Sequence, residues 1–268
     1  MQVNDLKVAI IGAGNMGGAI ARGLAKGAIV KTGNIFISDL SETNLNALKK
    51  DFPQINIAVS NNDVVENADI VILAVKPWLV ETIASEIEHK IKNSSKILIS
   101  IAAGIDFFQL SRYFNSDDIS LFRVVPNTAI EAGESVSTVS AQNVTEEQTK
   151  LVLDIFDEMG KTFLVSESQM DAFMSLSSCG IAYAFRYIRA AMEGGIEMGI
   201  YPNTAKEVIL QTLKGAVALL ETNNSHPEAE IDKVTTPGGI TIKGLNEMEA
   251  NGFTNAVIKG LKASNVSK

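Results

Sequence analysis

The sequence predicts an α/β protein: a doubly wound, mostly parallel sheet in its N-terminal part, followed by an all-α C-terminal part. Three observations predict it. Short apolar runs alternate with helical spacings from residue 6 to about residue 165, the pattern of βαβ units. The runs are nearly continuous, as in Leu6-Lys7-Val8-Ala9-Ile10-Ile11 and Asp69-Ile70-Val71-Ile72-Leu73, which suits strands covered on both faces. Past Ser168 the strand signals stop, and residues 169–177, 180–199, 204–222 and from 242 onward read as helices. The expected division is therefore 1–166 and 167–268, within the size range of two domains.

The first strand runs straight into Gly12-Ala13-Gly14-Asn15-Met16-Gly17, and helical spacing follows in Gly18-Ala19-Ile20-Ala21-Arg22-Gly23-Leu24. This is G-x-G-x-x-G with a strand before it and a helix after it. Gly12 permits the tight turn, Gly14 lets a pyrophosphate approach the backbone, and Gly17 lets the helix pack close to the strand. A tight βα turn without a ligand is the bland alternative. The context favours a dinucleotide, NADP(H) or NAD(H), and hence a sheet of Rossmann type. The second strand, 34–38, closes in Asp39. An acid there takes the adenosine ribose hydroxyls and favours NAD; alternatively Asp39 or Ser41 caps a helix beginning near Glu42. No arginine lies from Asp39 to Asn46, yet Ser41, Asn44 and Lys49 or Lys50 remain candidates for a 2′-phosphate. The residues alone leave NAD against NADP open.

The strand 69–73 ends in Ala74-Val75-Lys76-Pro77, and the strand 96–101 ends in Ala102-Ala103-Gly104. Ligands in such sheets bind at the carboxyl ends of strands, so both ends are expected edges of the nicotinamide site; ordinary βα loops are the alternative. A helix over 106–114 and a strand over 120–125 come next, stopped by Pro126-Asn127-Thr128. Residues 134–140 alternate like a strand. Thr145, with Glu147 or Gln148 close behind, caps a helix that Gly160 stops, and 161–165 is the last strand.

In the helical part, Ala182-Tyr183-Ala184-Phe185, Ile188, Ala191 and Met192 make one helix apolar around much of its circumference. Such a helix must be buried, and a domain of about 100 residues has little interior to bury it. A second copy of the chain is expected to cover it, so a homodimer is expected; burial inside the domain is the alternative. Further on, Val234-Thr235-Thr236-Pro237-Gly238-Gly239-Ile240-Thr241-Ile242-Lys243-Gly244-Leu245 leads into a helical pattern. Hydroxyls and free amides at a helix start hold a carboxylate well. Thr236, Pro237, Gly238, Gly239, Ile240 and Thr241 are thus the expected pocket for a small acid.

Composition removes other classes. The net charge of −8 argues against nucleic acid and anionic membranes as partners. The single Cys179 forms no intrachain disulfide and fits a reducing compartment. His89 lies in a charged helical segment and His226 before Pro227, where it reads as a cap; no metal cluster assembles from these residues. The start lacks the basic opening of a signal peptide, and no run reaches the ~20 apolar residues of a membrane span. A cytoplasmic location is expected.

Taken in order, the glycine loop, Ala74-Val75-Lys76-Pro77, Ser100-Ile101-Ala102-Ala103-Gly104, Arg123-Val124-Val125-Pro126-Asn127-Thr128 and Val234–Thr241 resemble pyrroline-5-carboxylate reductases over nearly the whole chain. The resemblance implies reduction of 1-pyrroline-5-carboxylate to L-proline by NADPH or NADH, the last step of proline biosynthesis. It implies a Rossmann domain and a helical dimerisation domain that interlocks with its partner's, with dimers often assembled into rings. It also implies that the glycine loop, Asn61, the Ala-Val-Lys-Pro segment and the Ala-Ala-Gly segment contact the cofactor. The Gly-Gly-x-Thr segment would hold the substrate carboxylate, and Thr241 would hydrogen-bond the ring nitrogen. Two departures stand out. The family's usual Ser-Gly-Ser-Gly-Pro-Ala-Tyr is Ser177-Ser178-Cys179-Gly180-Ile181-Ala182-Tyr183 here, and its proline after Asn-Thr is Ala129.

Imine reduction needs little acid–base help, because the cofactor carries the hard chemistry. Rival readings are weaker. β-Hydroxyacid dehydrogenases use a lysine on the first long helix, and none occurs between Lys161 and Lys206; Arg186 and Arg189 do not give up a proton readily. Prephenate-type dehydrogenases and other imine reductases give no reason for the Thr-Pro-Gly-Gly segment. A non-catalytic NAD(P)-binding sensor would have no need of it.

Overall fold

The computed structural model describes residues 5–265. The chain forms two compact units that divide between Ser178 and Cys179.

The first unit is an eight-stranded sheet: β1 (Val8–Ile11), β2 (Ile35–Ser38), β3 (Asn56–Ala58), β4 (Ile70–Leu73), β5 (Ile97–Ser100), β6 (Ser120–Val125), β7 (Ser135–Gln142) and β8 (Gly160–Leu164). Their order is β3-β2-β1-β4-β5-β6-β7-β8. All neighbours are parallel except β6 and β7. The helices between them are α1 (Asn15–Lys26), α2 (Glu42–Asp51), α3 (Asn61–Val65), α4 (Val80–Ile91), α5 (Phe107–Tyr113) and α6 (Glu146–Asp157), with α7 (Met170–Met174) closing the unit. Successive strand side chains point to opposite faces. Val8 and Ile10 therefore join one apolar layer with Ile70 and Ile72, while Ala9 and Ile11 join the other with Val71 and Leu73. Double coverage explains the continuous apolar runs. The edge strand β3 was not anticipated: it has three partly exposed residues and begins with an asparagine.

Local chemistry sets the helix starts. Ser41 Oγ accepts from the Asn44 amide at 3.4 Å, so Ser41, not Asp39, caps α2. Thr145 and Gln148 form the expected capping box on α6, at 3.1 and 2.9 Å. Residues 167–178 belong by their packing to the first unit. Glu167 pairs with the buried Arg123 at 2.7 Å, Met170 is buried, and the rings of Phe163 and Phe173 lie 6.0 Å apart. The compact unit thus extends twelve residues beyond the 166 expected from the loss of strand signal (178 − 166 = 12). The expected helix over 169–177 is α7 followed by a wider π-type turn, Ser175–Cys179.

The second unit comprises α8 (Gly180–Glu197), α9 (Pro202–Asn223), α10 (Pro227–Val234), α11 (Ile240–Ala250) and α12 (Phe253–Ser264). The helix expected from 242 onward is two helices, broken where Gly252 takes φ +80°. α10 was not anticipated as a helix; His226 caps it, its Nδ1 accepting from the Glu228 amide at 3.2 Å. Gly195 of α8 lies against Ala205 of α9, where an added Cβ would stand 3.3 Å from the alanine methyl. Tyr187 meets Phe253 edge-on at 6.5 Å. The alternative of burying α8 inside this unit is not what the chain adopts. Phe185 stays 59% exposed, and Tyr183, Tyr187, Val217, Leu219 and Ile258 are exposed as well.

Candidate functional site

The three loop glycines separate on physical grounds. Gly12 takes φ +103°, and a Cβ there would stand 2.5 Å from the Ala74 carbonyl oxygen. A Cβ on Gly17 would be driven into the Gly12 carbonyl oxygen. Those two glycines answer to the chain's own packing. Gly14 does not: it is exposed, its φ of −67° suits any residue, and an added Cβ would meet no protein atom within 4 Å. Its bareness leaves room for something outside the chain. Gly14 is also the N-cap of the twelve-residue α1 and offers no side-chain cap, so the first-turn amides face outward with the positive end of the helix dipole. Ala13 behind it is buried, Asn15 exposed and Met16 half-buried. These features fit a dinucleotide pyrophosphate.

Asp39 stands beside this loop. Its Oδ2 accepts from the Ala13 amide at 2.5 Å and its Oδ1 from the Ser41 amide at 2.7 Å. Ser38 Oγ donates to Asn61 Oδ1 at 2.7 Å, and Asn61 Nδ2 donates to Glu86 Oε2 at 2.8 Å. Sequence reading missed Ser38 and Glu86. They sit 23 and 25 residues from Asn61, and no local motif marks them. Ala74 follows β4, its amide donating to the Ile11 carbonyl at 2.8 Å, and the Ile101 amide donates to the Leu73 carbonyl at 3.1 Å. Val75 Cγ1 lies near the Gly12 position. Lys76, Ala103 and Gly104 are exposed, while Ala102 is buried. The glycine loop, Asp39, Asn61, Ala74–Pro77 and Ala102–Gly104 thus share the carboxyl edge of the sheet. That edge includes the β1–β4 position where strand order reverses, the usual ligand crevice of such sheets.

The two departures from the family pattern meet at one turn. The Ala129 amide, which a proline would lack, donates to Asn127 Oδ1 at 3.1 Å. Asn127 Nδ2 donates to the Ser177 carbonyl at 3.5 Å, and Ser178 Oγ donates to the Pro126 carbonyl at 3.2 Å.

In the second unit, Thr236 accepts from the Gly239 amide at 2.9 Å, and Gly238 takes φ +70°. Gly239 is the N-cap of the eleven-residue α11 and supplies no side-chain cap. Thr241 is the second residue of that helix, so it is not the cap. Neither the Thr236 nor the Thr241 hydroxyl is used by another group among the described residues, whereas Thr235 Oγ1 donates to the Asp232 carbonyl at 3.2 Å. Pro237, Gly238, Ile240 and Thr241 are exposed. Among the described residues no group of His, Cys, Asp and Glu could hold a metal, and no helix is long and apolar enough to cross a membrane.

A Rossmann-type sheet with a ligand-shaped glycine loop, joined to a helical unit with a donor-rich turn, defines an NAD(P)-dependent oxidoreductase. Residues 7–104 match the family described as NADP oxidoreductase, coenzyme F420-dependent, and residues 167–267 match pyrroline-5-carboxylate reductase dimerisation. The chain belongs to the pyrroline-5-carboxylate reductase family. It is 36% identical to the pyrroline-5-carboxylate reductase of Methanosarcina acetivorans, over 98% of either protein. It is 35% identical to pyrroline-5-carboxylate reductase 1 of Dictyostelium discoideum over 98% of this chain, and spans about half (49%) of that relative's length. Among solved structures, the NADP-bound Plasmodium falciparum pyrroline carboxylate reductase superposes with a TM-score of 0.89 at 30% identity, covering 97% of this chain and 96% of that one.

Proposed function

We infer that this chain reduces 1-pyrroline-5-carboxylate to L-proline by hydride transfer from NADPH or NADH. The observation that carries the substrate reading is the uncapped start of α11, where the Thr236 and Thr241 hydroxyls and the first-turn amides are left for a ligand. Thr236, Pro237, Gly238, Gly239 and Ile240 hold the substrate carboxylate, and Thr241 Oγ1 fixes the ring nitrogen. Gly12–Gly17, Asp39, Asn61, Ala74–Pro77 and Ala102–Gly104 hold the dinucleotide. The reduced nicotinamide supplies the hydride. The cyclic imine is basic enough to be partly protonated in water, so its carbon accepts hydride without a side-chain acid. The chain's task is to orient the imine and exclude water, and such orientation contributes up to roughly 7–11 kcal/mol.

The work divides between residues 1–166, which bind the cofactor, and 167–268, which hold the acid and a second copy of the chain, residues 167–178 packing on the first unit as the lead-in to α8. The exposed apolar residues of α8, α9 and α12 support a homodimer, and dimers assemble further into rings. The single cysteine suits a cytoplasmic protein.

The test is nicotinamide oxidation by the purified chain with and without the pyrroline acid. Turnover is expected only when the acid is present. Tight cofactor binding with no turnover would refute the reading in favour of a sensor.

A further inference from the structure

We propose that Asp39 makes this reductase select NADH over NADPH, because its carboxylate is built into the glycine loop and cannot withdraw from a 2′-phosphate. The proposal rests on the dinucleotide reading of that loop. An acidic residue at the end of β2 meets the adenosine ribose in sheets of this kind. A carboxylate on a freely rotating side chain could swing away from an incoming phosphate. Asp39 cannot, since each of its oxygens is held by a backbone amide, Ala13 at 2.5 Å on one side and Ser41 at 2.7 Å on the other. An ionised carboxylate offers about four acceptor positions. Two are taken by the amides, and two remain, the number a vicinal diol needs.

The neighbouring groups do not compensate a phosphate. Leu40, next in the chain, is 92% exposed and carries no charge. The Ser41 hydroxyl is positioned by accepting from the Asn44 amide and carries no charge, and Glu42 adds an acid to the first turn of α2. Lys49 Nζ donates to the Ile55 carbonyl at 2.7 Å. Lys50 stands with it in the last turn of α2, about 12 Å along the axis from Glu42 at ~1.5 Å per residue. On the β2 side, Asn61 donates one amide hydrogen to Glu86, which brings a second carboxylate. A 2′-phosphate, with a charge of about −1.5 to −2, would meet Asp39 and Glu42 with no lysine or arginine from Asp39 to Asn46.

Affinities of NADH and NADPH for the full chain should be measured by calorimetric titration without substrate, alongside ADP and adenosine 2′,5′-bisphosphate. NADH is expected to bind on the order of 10²-fold more tightly than NADPH, with the same order between the two fragments. Leu40→Arg places a guanidinium at the exposed corner and should tighten NADPH about 10-fold. Asp39→Asn should narrow the gap, with thermal unfolding recorded because Asp39 also holds the loop; should that variant not fold, the wild-type and Leu40→Arg titrations decide. NADPH binding as tight as NADH in the wild type overturns the proposal, and so does a Leu40→Arg variant whose NADPH affinity is unchanged. Failure of all four ligands to bind would instead refute the dinucleotide reading itself, and the selectivity with it.

Discussion

Gly14 and Gly17 lie three residues apart in one loop, and alanine at each should do opposite things. At Gly17 the new methyl would be driven into the carbonyl oxygen of Gly12. That carbonyl cannot yield easily: Gly12 sits at φ +103° and its amide donates to the Ser38 carbonyl at 2.7 Å. Alanine gains ~1 kcal/mol of helix propensity over glycine, but overpacking of this kind costs about 1–3 kcal/mol and more where backbone must move. A net loss of about 1–2 kcal/mol lowers Tm by roughly 2–8 °C in a unit of this size. At Gly14 the methyl meets no protein atom and the backbone is ordinary. Alanine is a poorer N-cap than glycine by about 0.5–1 kcal/mol, and it stiffens the unfolded chain by about 0.4–1 kcal/mol, so the two offset and Tm should stay within about 2 °C. The methyl instead enters the opening proposed for the pyrophosphate. Losing one charge-assisted contact, about 1.5–3 kcal/mol, weakens dinucleotide binding roughly 10- to 100-fold. Thermal unfolding and titration calorimetry on both variants read the two effects separately. A Gly14→Ala protein that binds NADH as wild type, or that unfolds as early as Gly17→Ala, would refute the assignment of that opening to the cofactor.

Thr241→Val should leave α11 intact, because the hydroxyl caps nothing, and cut turnover by on the order of 10²-fold; unchanged kcat and KM would remove Thr241 from the reaction. Ser178→Ala should cost about 1 kcal/mol by freeing the Pro126 carbonyl, and Ala129→Pro should cost a similar amount by depriving Asn127 of its donor. Because both changes act on one turn, their combined cost in denaturant unfolding should depart from additivity by ~0.5 kcal/mol or more, and strict additivity would show the two departures to be unrelated. The Glu230 carboxyl is held down to about 2, first by the Lys233 ammonium and then by the Ser225 hydroxyl. Its support for α10 is therefore present above the ordinary carboxyl value of ~4.3 and lost as pH falls through about 2. Amide exchange at Ser225 to Lys233 should quicken across that window in the wild type and not in Glu230→Gln; equal behaviour in both would refute the link.

Much of the fold was legible because its signals are local. Continuous apolar runs announced strands covered on both faces, and Val8–Ile11 and Ile70–Leu73 are such strands. The glycine loop, the Thr145 capping box and the His226 cap each depend on residues within a few positions of one another. β3 escaped because three half-exposed residues at a sheet edge need no apolar pattern, and α10 because its polar surface hides the period. The break at Gly252 escaped although Asn251-Gly252 with Thr254 and Asn255 is a local turn signal, because the apolar residues on either side keep helical spacing.

By itself, the order of residues determined that a strand, a bare loop and a helix succeed one another, and that threonines and glycines precede α11, because backbone freedom and helix-end chemistry are properties of neighbours in the chain. Tertiary structure alone decided that Asp39 braces the loop instead of capping α2, and that Ser38, Asn61 and Glu86 form one chain of hydrogen bonds. Those outcomes depend on which strand ends are brought side by side, and proximity across tens of residues leaves no trace in a one-dimensional pattern.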